Sequence, residues 1–495
     1  LETRAAVFFG ALAALGVSAE ETPPEMDGEV YDLRDFVVTE QFLYTDRVNA
    51  LRTPTPVIDV PQSLSITTSS QIEEQAFESI GDIVNYTPGV TNAQGEGHRD
   101  AVVFRGSRST GSFFVDGVRD DVEHYRSLYN VEQLEILRGP NALLFGRGGT
   151  GGVINRVTKK GLIGETFTGY HLNVDTFGAY TAQLDGNVSL NEHAAVRVNA
   201  FYDYLENHRD LYDGERFGIN PTLRYVFNER TNLNLSYEFN DHERFIDRGV
   251  PTGADGRPVE RFEDTFFGDP EVADTAFEAH VLRGALQHRF NEDLKGRFDF
   301  SYGDYDKAYQ NFYATAYDPI ADEVTLSGYE DSTQRESLIL TGNLIGQFST
   351  GDAEHTLIFG VEFLDSGNDN DRLRFDADPL APGTQVETLA VSDLDTFRNR
   401  TFNQFGDDTA ADLTVLSIYI QDEIALLEQL DLILGARYDR FDFEFDSFAA
   451  DGSLAASRGQ VDEELTPRLG LVYKPEEAIS IYASYSQTFL PKSGE

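Results

Sequence analysis

The sequence predicts an all-β chain that crosses a membrane as a barrel, preceded by a smaller α+β domain. Three observations predict it. Most of residues 161–495 alternate apolar and polar side chains with period two, the mark of strands with one face in an apolar medium. The links between these strands alternate short and long, as they do where tight periplasmic turns and long extracellular loops sort by side. No run reaches the ~20 apolar residues of a transmembrane helix, so any crossing falls to strands.

The chain opens on Leu1 rather than Met, and an incomplete N-terminus is expected. Arg4 precedes an apolar run closing on Val17-Ser18-Ala19. This reads as the end of a secretory signal cut after Ala19, so residues 1–19 are a signal-peptide remnant and the chain is exported. Residues 20–50 are polar and irregular, the composition of an unfolded tail. Inside it, Phe36-Val37-Val38-Thr39 is a β-prone island. It reads either as a fortuitous apolar cluster or as a strand offered to a partner.

Residues 51–160 read as a compact α+β domain. Ile72, Phe77, Ile80, Ile83 and Val84 share one stripe of a helix over Gln71–Tyr86, stopped by Thr87-Pro88-Gly89. Short strands follow at Val102–Arg105, Ser112–Val115 and Leu134–Leu137, separated by the polar turns NAQGEGHRD, GSRSTG and DDVEHYRS. The stretch FGRGGTGGVINRV, Phe145 to Val157, holds Gly146-x-Gly148-x-x-Gly151. That matches a dinucleotide fingerprint in letters only. A nucleotide site needs a strand before the glycines and a helix after them. Here PNALLF, a single helical turn with Pro140 at its start, comes first, and the β-branched Val153–Thr158 follows. The glycines are therefore expected to allow a tight bend from helix to strand.

Beyond residue 161 the strands are explicit. Val196, Val198, Ala200, Tyr202 and Tyr204 alternate with polar neighbours, as do Leu233, Leu235, Tyr237 and Phe239, and Phe298, Phe300 and Tyr302. Tight turns stand at Asn191-Glu192, Asn228–Arg230, Asn291–Asp293, Thr350–Ala353 and Pro475–Glu477. Long polar segments lie near 207–216, 243–276, 308–332, 368–410 and 446–461. An unpaired peptide group in lipid costs several kcal/mol, so such strands must close on themselves. About thirteen are present and bacterial barrels take an even number. The C-terminal part of the barrel is expected to be missing after Glu495.

Composition narrows the function. A net charge of −46 excludes nucleic acid, whose phosphates need clustered Lys and Arg. The absence of Cys removes disulfides and thiolate metal sites. The nine His include no H-E-x-x-H. The acids are dispersed, without the paired carboxylates a hydrolase needs, so no catalytic and no metal-ligating residue is assigned and the chain is read as a non-enzyme.

Several ordered stretches carry a resemblance. Val60-Pro61-Gln62-Ser63-Leu64-Ser65-Ile66, Tyr86-Thr87-Pro88-Gly89-Val90, Phe104-Arg105-Gly106, Phe114-Val115-Asp116-Gly117, the run Tyr129 to Pro140 and the glycine-rich stretch resemble the plug motifs of TonB-dependent outer-membrane receptors, in their ferric-siderophore branch. The resemblance covers about 50–160 closely and the rest by architecture. It implies a barrel of the 22-stranded type, with 51–160 as a plug in its lumen and 161–495 as the part of the barrel present. It implies a TonB box near 35–40, on Asp35, Phe36, Val37, Val38 and Thr39. The partners implied are TonB with ExbB/ExbD, a ferric siderophore and outer-membrane lipid. The receptor is a monomer in the cell outer membrane, without a resident cofactor, since ferric iron travels as cargo. Plug apices facing outward make Gln94, His98, Arg99, Tyr125 and Arg126 candidates for ligand contact. By analogy with family positions, Arg105 and Arg138 are expected to pair with barrel carboxylates. The same family also serves haem, cobalamin and oligosaccharides, which keeps those cargoes as the alternative.

Overall fold

The computed structural model describes residues 48–49, 56–139, 142–147, 151–377, 383–476, 478–489 and 491. The signal-peptide remnant and the expected TonB box lie outside these residues.

The N-terminal domain is built on two small sheets. Its strands are β1 Ser63–Thr68, β2 Val90–Asn92, β3 Val102–Phe104, β4 Ser107–Ser109, β5 Phe113–Val115, β6 Val118–Arg119, β7 Val131–Arg138 and β8 Gly152–Thr158. One sheet runs β1-β7-β8-β5-β6 and the other β2-β3-β4. Where the stripe of apolar residues predicts a single helix over 71–86, the chain forms two, α1 Ser69–Glu74 and α2 Ile80–Asn85. Each opens on its own capping box, Thr68 with Gln71 and Ser79 with Asp82, which satisfies orphan N–H groups at both starts. Ala76 between them sits at φ 52°, a conformation no continuous helix contains. Ile80, Ile83 and Val84 still pack against Phe104, Phe113, Leu134 and Ile136.

Within PNALLF, Ala142–Phe145 forms one helical turn, α3, while Pro140 and Asn141 lie outside the described residues, and β8 follows the glycines. The glycines have steric reasons. A Cβ on Gly151 would stand 2.5 Å from the Phe104 Cβ, and one on Gly152 would stand 2.5 Å from the Leu137 carbonyl oxygen. A Cβ on Gly146 would meet the Arg437 guanidinium at 2.9 Å.

The rest of the chain is one antiparallel wall: β9 Thr166–Val174, β10 Tyr180–Asn191, β11 Ala194–Glu206, β12 Asp213–Asn228, β13 Thr231–Phe245, β14 Asp274–Arg289, β15 Leu294–Asp318, β16 Glu323–Thr350, β17 Ala353–Phe375, β18 Val386–Ala390, β19 Phe402–Leu427, β20 Leu430–Phe448, β21 Leu454–Glu476 and β22 Ile479–Ser486. Thirteen strands form its path in chain order, and β18 sits aside on β16, so β17 pairs with β19. The tight turns lie where the sequence places them, with a further one between Leu427 and Leu430.

The strands are longer than expected. β15, β16 and β19 have 25, 28 and 26 residues. At about 3.3 Å per residue, the longest runs roughly 90 Å, whereas ~9–11 tilted residues suffice to cross a bilayer. Residues 308–318 and 323–332, read from sequence as loop, are paired strand, and β20 and β21 continue to Phe448 and Leu454. Above the lipid both faces meet water, so apolar alternation disappears while the backbone ladder continues. The segments 246–273 and 391–401 are not simply polar either. Phe262, Phe267 and Phe397 from them pack on Phe312, Phe375 and Phe402 of the wall.

Burial is inverted relative to a water-soluble sheet. Asn199, Asn220, Asn343, Ser417, Arg437 and Asp439 are buried on the inner face. Leu282, Leu344, Ile418, Ile420, Leu434 and Leu469 are exposed on the outer one. A polar interior with an apolar outer band defines a membrane barrel wall. The outer rows then turn acidic in register, with Asp241 opposite Glu278, Glu278 opposite Asp306 and Asp304 opposite Glu336. Like charges directly opposite one another are destabilising, so these rows mark where the wall leaves lipid for water.

The N-terminal domain lies against the inner face. Val60, Phe114, Leu143, Phe145 and Val153 share one buried cluster with Ile345, Ile358 and Tyr419 of the wall. Polar contacts reach it from β10 through Lys159 and Asp185, and from β21 through Asp59 and Lys474. It is a plug.

Replacing Ile418, in the apolar outer band, with Arg is expected to cost about 2–4 kcal/mol of barrel stability. Asp412→Arg, six residues along the same outer face toward the acidic rows, should be near neutral. Denaturant titration in lipid vesicles, read by the gel mobility of the folded barrel, distinguishes the two.

Candidate ligand site at the plug apex

Two plug loops form the apex. The first, residues 93–101, turns through three consecutive positive φ angles at Gly95, Glu96 and Gly97. Such a turn needs glycine at most positions, and a Cβ on Gly97 would stand 3.1 Å from both the Asp247 carbonyl oxygen and the Ile246 side chain. The loop after β13 thus closes directly onto the apex.

Glu96 is the polar centre of this loop. Tyr329 of β16 donates a 2.7 Å hydrogen bond to its carboxylate, and Arg99 and Arg248 stand at 3.5 and 3.6 Å. The polar contact with His98 at 3.9 Å, followed by the Tyr329 hydrogen bond and the two arginines, holds the Glu96 carboxyl well below the usual range against the cost of burial. His98 is buried and stacks on Tyr309 of β15 with centroids 4.0 Å apart; burial lowers its pKa to about 4. Arg99 donates to Glu123 at 2.9 Å. Gln94 is exposed, and its backbone carbonyl accepts a 3.4 Å hydrogen bond from the Tyr125 hydroxyl. Gln94, His98, Arg99 and Tyr125 therefore stand together at the apex.

Arg126 belongs to the layer beneath. It is 2 % exposed. Its guanidinium donates to the Asp120 carboxylate at 2.9 Å and to the carbonyls of Asp120, Val122 and His124, and lies 3.9 Å over the Phe113 ring. Every guanidinium nitrogen is engaged inside the plug, so this arginine shapes the second loop, 119–127. His124 of that loop stacks on Phe277 of β14 at 4.4 Å, and burial lowers its pKa to about 3.

Arg138 also turns inward. It donates to the Ser63 hydroxyl at 2.9 Å and to the Pro88 carbonyl at 3.1 Å, both within the plug rather than on a barrel carboxylate. Arg105 is exposed at φ 48°, and no barrel carboxylate pairs with it among the described residues. The charged plug–wall contacts fall elsewhere. Asp121 accepts from Arg335 of β16 at 2.8 Å and from Arg147 of the plug at 3.2 Å. Lys474 joins Asp59 to Asp431, both at 2.8 Å. Asn130 donates to Asn220 at 3.2 Å and to Glu238 at 3.1 Å. Arg437, fully buried, bonds Asp439, Glu362 and Ser417 and lies 3.5 Å from the Leu143 carbonyl of α3. Sequence alone offers no signal for these pairs, whose members stand up to 415 positions apart.

Between the second loop and the wall lies a cavity of about 940 Å³. Its floor is Gly111, Asp121 and Glu123 of the plug, and Thr333, Asn370 and Phe443 are among its wall residues. That is large enough for an organic chelate.

Residues 56–153 match the family model described as TonB-dependent Receptor Plug Domain, and residues 218–495 match that described as TonB dependent receptor-like, beta-barrel. The chain belongs to the TonB-dependent receptor family and is a protein of the outer membrane. It is 28 % identical over 475 residues to a probable TonB-dependent receptor, BfrD, of Bordetella pertussis, covering 88 % of this chain and 62 % of the relative. It is 28 % identical over 466 residues to the ferrioxamine B receptor of Salmonella typhimurium, covering 90 % and 63 %. The chain thus spans less than two thirds of the length of these relatives. Its fold is like that of the crystal structure of the siderophore receptor PiuA from Acinetobacter baumannii, with a TM-score of 0.79 at 24 % identity over 91 % of this chain and 67 % of that one.

The two stacked histidines make apex docking pH-dependent. Both are held neutral by burial, with pKa values of about 4 and about 3 against ~6.5 when freed. Docking is therefore at full strength above pH ~6.5. Below that, the undocked loop binds the protons that the docked one refuses, at about 1.4 kcal/mol per pH unit for each histidine. Hydrogen exchange of residues 94–101 and 119–127, corrected for intrinsic rates, should show protection that is constant above pH ~6.5 and declines toward pH ~4. Protection independent of pH would exclude this coupling.

Proposed function

We propose that this chain is part of an outer-membrane receptor and active transporter for ferric siderophores, energised by TonB with ExbB/ExbD. The observation that carries the reading is the plug, wedged inside the wall beneath a cavity of about 940 Å³. A passive pore has no use for a folded domain in its lumen. The match to a receptor plug and a receptor barrel supports the same reading, as do relatives whose names specify siderophores. Haem, cobalamin or oligosaccharide as cargo finds no comparable support.

Ligand reaches the apex from outside and meets Gln94, Arg99 and Tyr125, with the buried His98 and Arg126 holding the two loops beneath them. Asp35 to Thr39 serves as the TonB box, adding a strand to TonB's sheet through backbone hydrogen bonds. A pull on it is transmitted to the plug and opens a path along the inner wall. The receptor acts as a monomer in outer-membrane lipid, does no covalent chemistry and holds no cofactor, since the iron is cargo.

Uptake of radiolabelled ferric siderophores by a strain lacking the receptor, complemented with wild type or with Val37→Pro, tests this. Proline removes a backbone donor and disfavours strand pairing. Surface binding should be unchanged and uptake should drop to the level of the deletion strain. Failure of the wild type to restore uptake of any ferric siderophore, with restored growth on a glycan, would reject the cargo.

A further inference from the structure

The charge of the cavity opposes the charge of the chain. Acidic residues outnumber basic ones 85 to 39 overall, so an average lining would be negative. Five cations line this one instead: Arg119, Arg147 and, from the wall, Lys307, Arg335 and Arg458. Only two carboxylates, Asp121 and Glu123, join them.

Those carboxylates are oversubscribed. Asp121 pairs with both Arg147 and Arg335, and Glu123 with Arg99 and, at 3.9 Å, with Lys307. Arg119 spends its hydrogen bonds on the carbonyls of Gly111, Phe145 and Arg147, which orient the guanidinium without neutralising it. Arg458 is exposed. The positive excess lies in a cleft between plug and wall, where field lines from low-dielectric surroundings are focused. Tyr305, Phe443 and Phe445 add aromatic surface to the same lining.

Resting on the receptor reading above, we infer that this cavity selects ferric chelates of net negative charge and disfavours neutral and cationic ones. The aromatic rings fit a chelate whose own donors are aromatic, such as a trianionic ferric tris-catecholate. Arginine and lysine bind the anionic donor oxygens, and the rings stack on the catechols.

Equilibrium binding to outer-membrane fractions carrying the native receptor tests this. The probes are a ferric tris-catecholate, ferric citrate, a neutral ferric trihydroxamate and a cationic one. The anionic probes should bind most tightly and lose affinity as salt rises. Arg335→Gln, and separately Arg458→Gln on its exposed stretch, should each weaken anionic binding roughly tenfold and leave the neutral probe unchanged. A tighter tris-catecholate than citrate supports the role of the rings, and equal binding assigns selection to charge alone. Neutral or cationic probes binding as tightly as anionic ones would overturn the inference and leave the receptor reading standing. So would an equal loss for every probe in both variants. Absence of binding by every ferric chelate would remove both.

Discussion

A peptide group inside hydrocarbon can bond only to another peptide group, and the rest of this molecule follows from that constraint. Each crossing segment has to be a strand with a neighbour on either side, so the wall grows as a continuous antiparallel ladder. A wall of many strands encloses a wide lumen rather than a packed core. Its inner face can then carry polar side chains, and much of what fills it is polar as well. The plug meets that face with hydrogen-bonded pairs. Asn130 with Asn220 and Glu238, Asp121 with Arg335, and Asp59 with Lys474 are contacts that water can also make. In the proposed transport cycle, such a seam can part under load and re-form. An oily interface of the same area would resist both steps. The apolar part of the contact gathers in three clusters, around Leu143, Phe145 and Tyr419, around Val118 with Leu364 and Phe441, and around Val122 with Phe277 and Tyr305.

Charge is sorted by position. Outside, above the lipid band, the register places Asp and Glu opposite one another, and water and salt screen the repulsion. Inside, arginines gather around too few carboxylates. Arg437 shows the structural use of such a group, since Asp439, Glu362 and Ser417 satisfy it and removing one of those partners would strand a buried charge. Arg335, Lys307 and Arg458 line open space, and with only Asp121 and Glu123 beside the first two an arriving anion can serve as a further partner.

Much of this was legible in the sequence for physical reasons. Leu233, Leu235 and Tyr237 show as a strand because one face meets lipid. Their tight turns show because Asn, Glu and Asp cluster there. Strand ends at 308–332 were not legible, because a ladder with water on both faces leaves no hydrophobic signature. The break at Ala76 was encoded in the two capping boxes, Thr68-x-x-Gln71 and Ser79-x-x-Asp82, but the apolar stripe across both helices hides it. At the apex, sequence places Arg99 and Arg126 on equal footing, since both lie in polar turns. Only the fold shows that one faces Glu96 and Glu123 while the other is enclosed by Asp120 and three carbonyls. The wall partners of the plug are pairings across long sequence separations, for which a single sequence holds no pattern.

The most direct test is whether the plug occupies the lumen as described. These 495 residues contain no cysteine, so an introduced pair is the only one among them. Asn130 of the plug and Asn220 of β12 are in hydrogen-bond contact at 3.2 Å, and Leu223 lies on the opposite, outward face of the same strand. Asn130→Cys with Asn220→Cys should cross-link rapidly under mild oxidation in intact outer membranes, and Asn130→Cys with Leu223→Cys should not. Equal cross-linking of both pairs, or of neither in a correctly assembled barrel, would contradict a plug held against the inner wall.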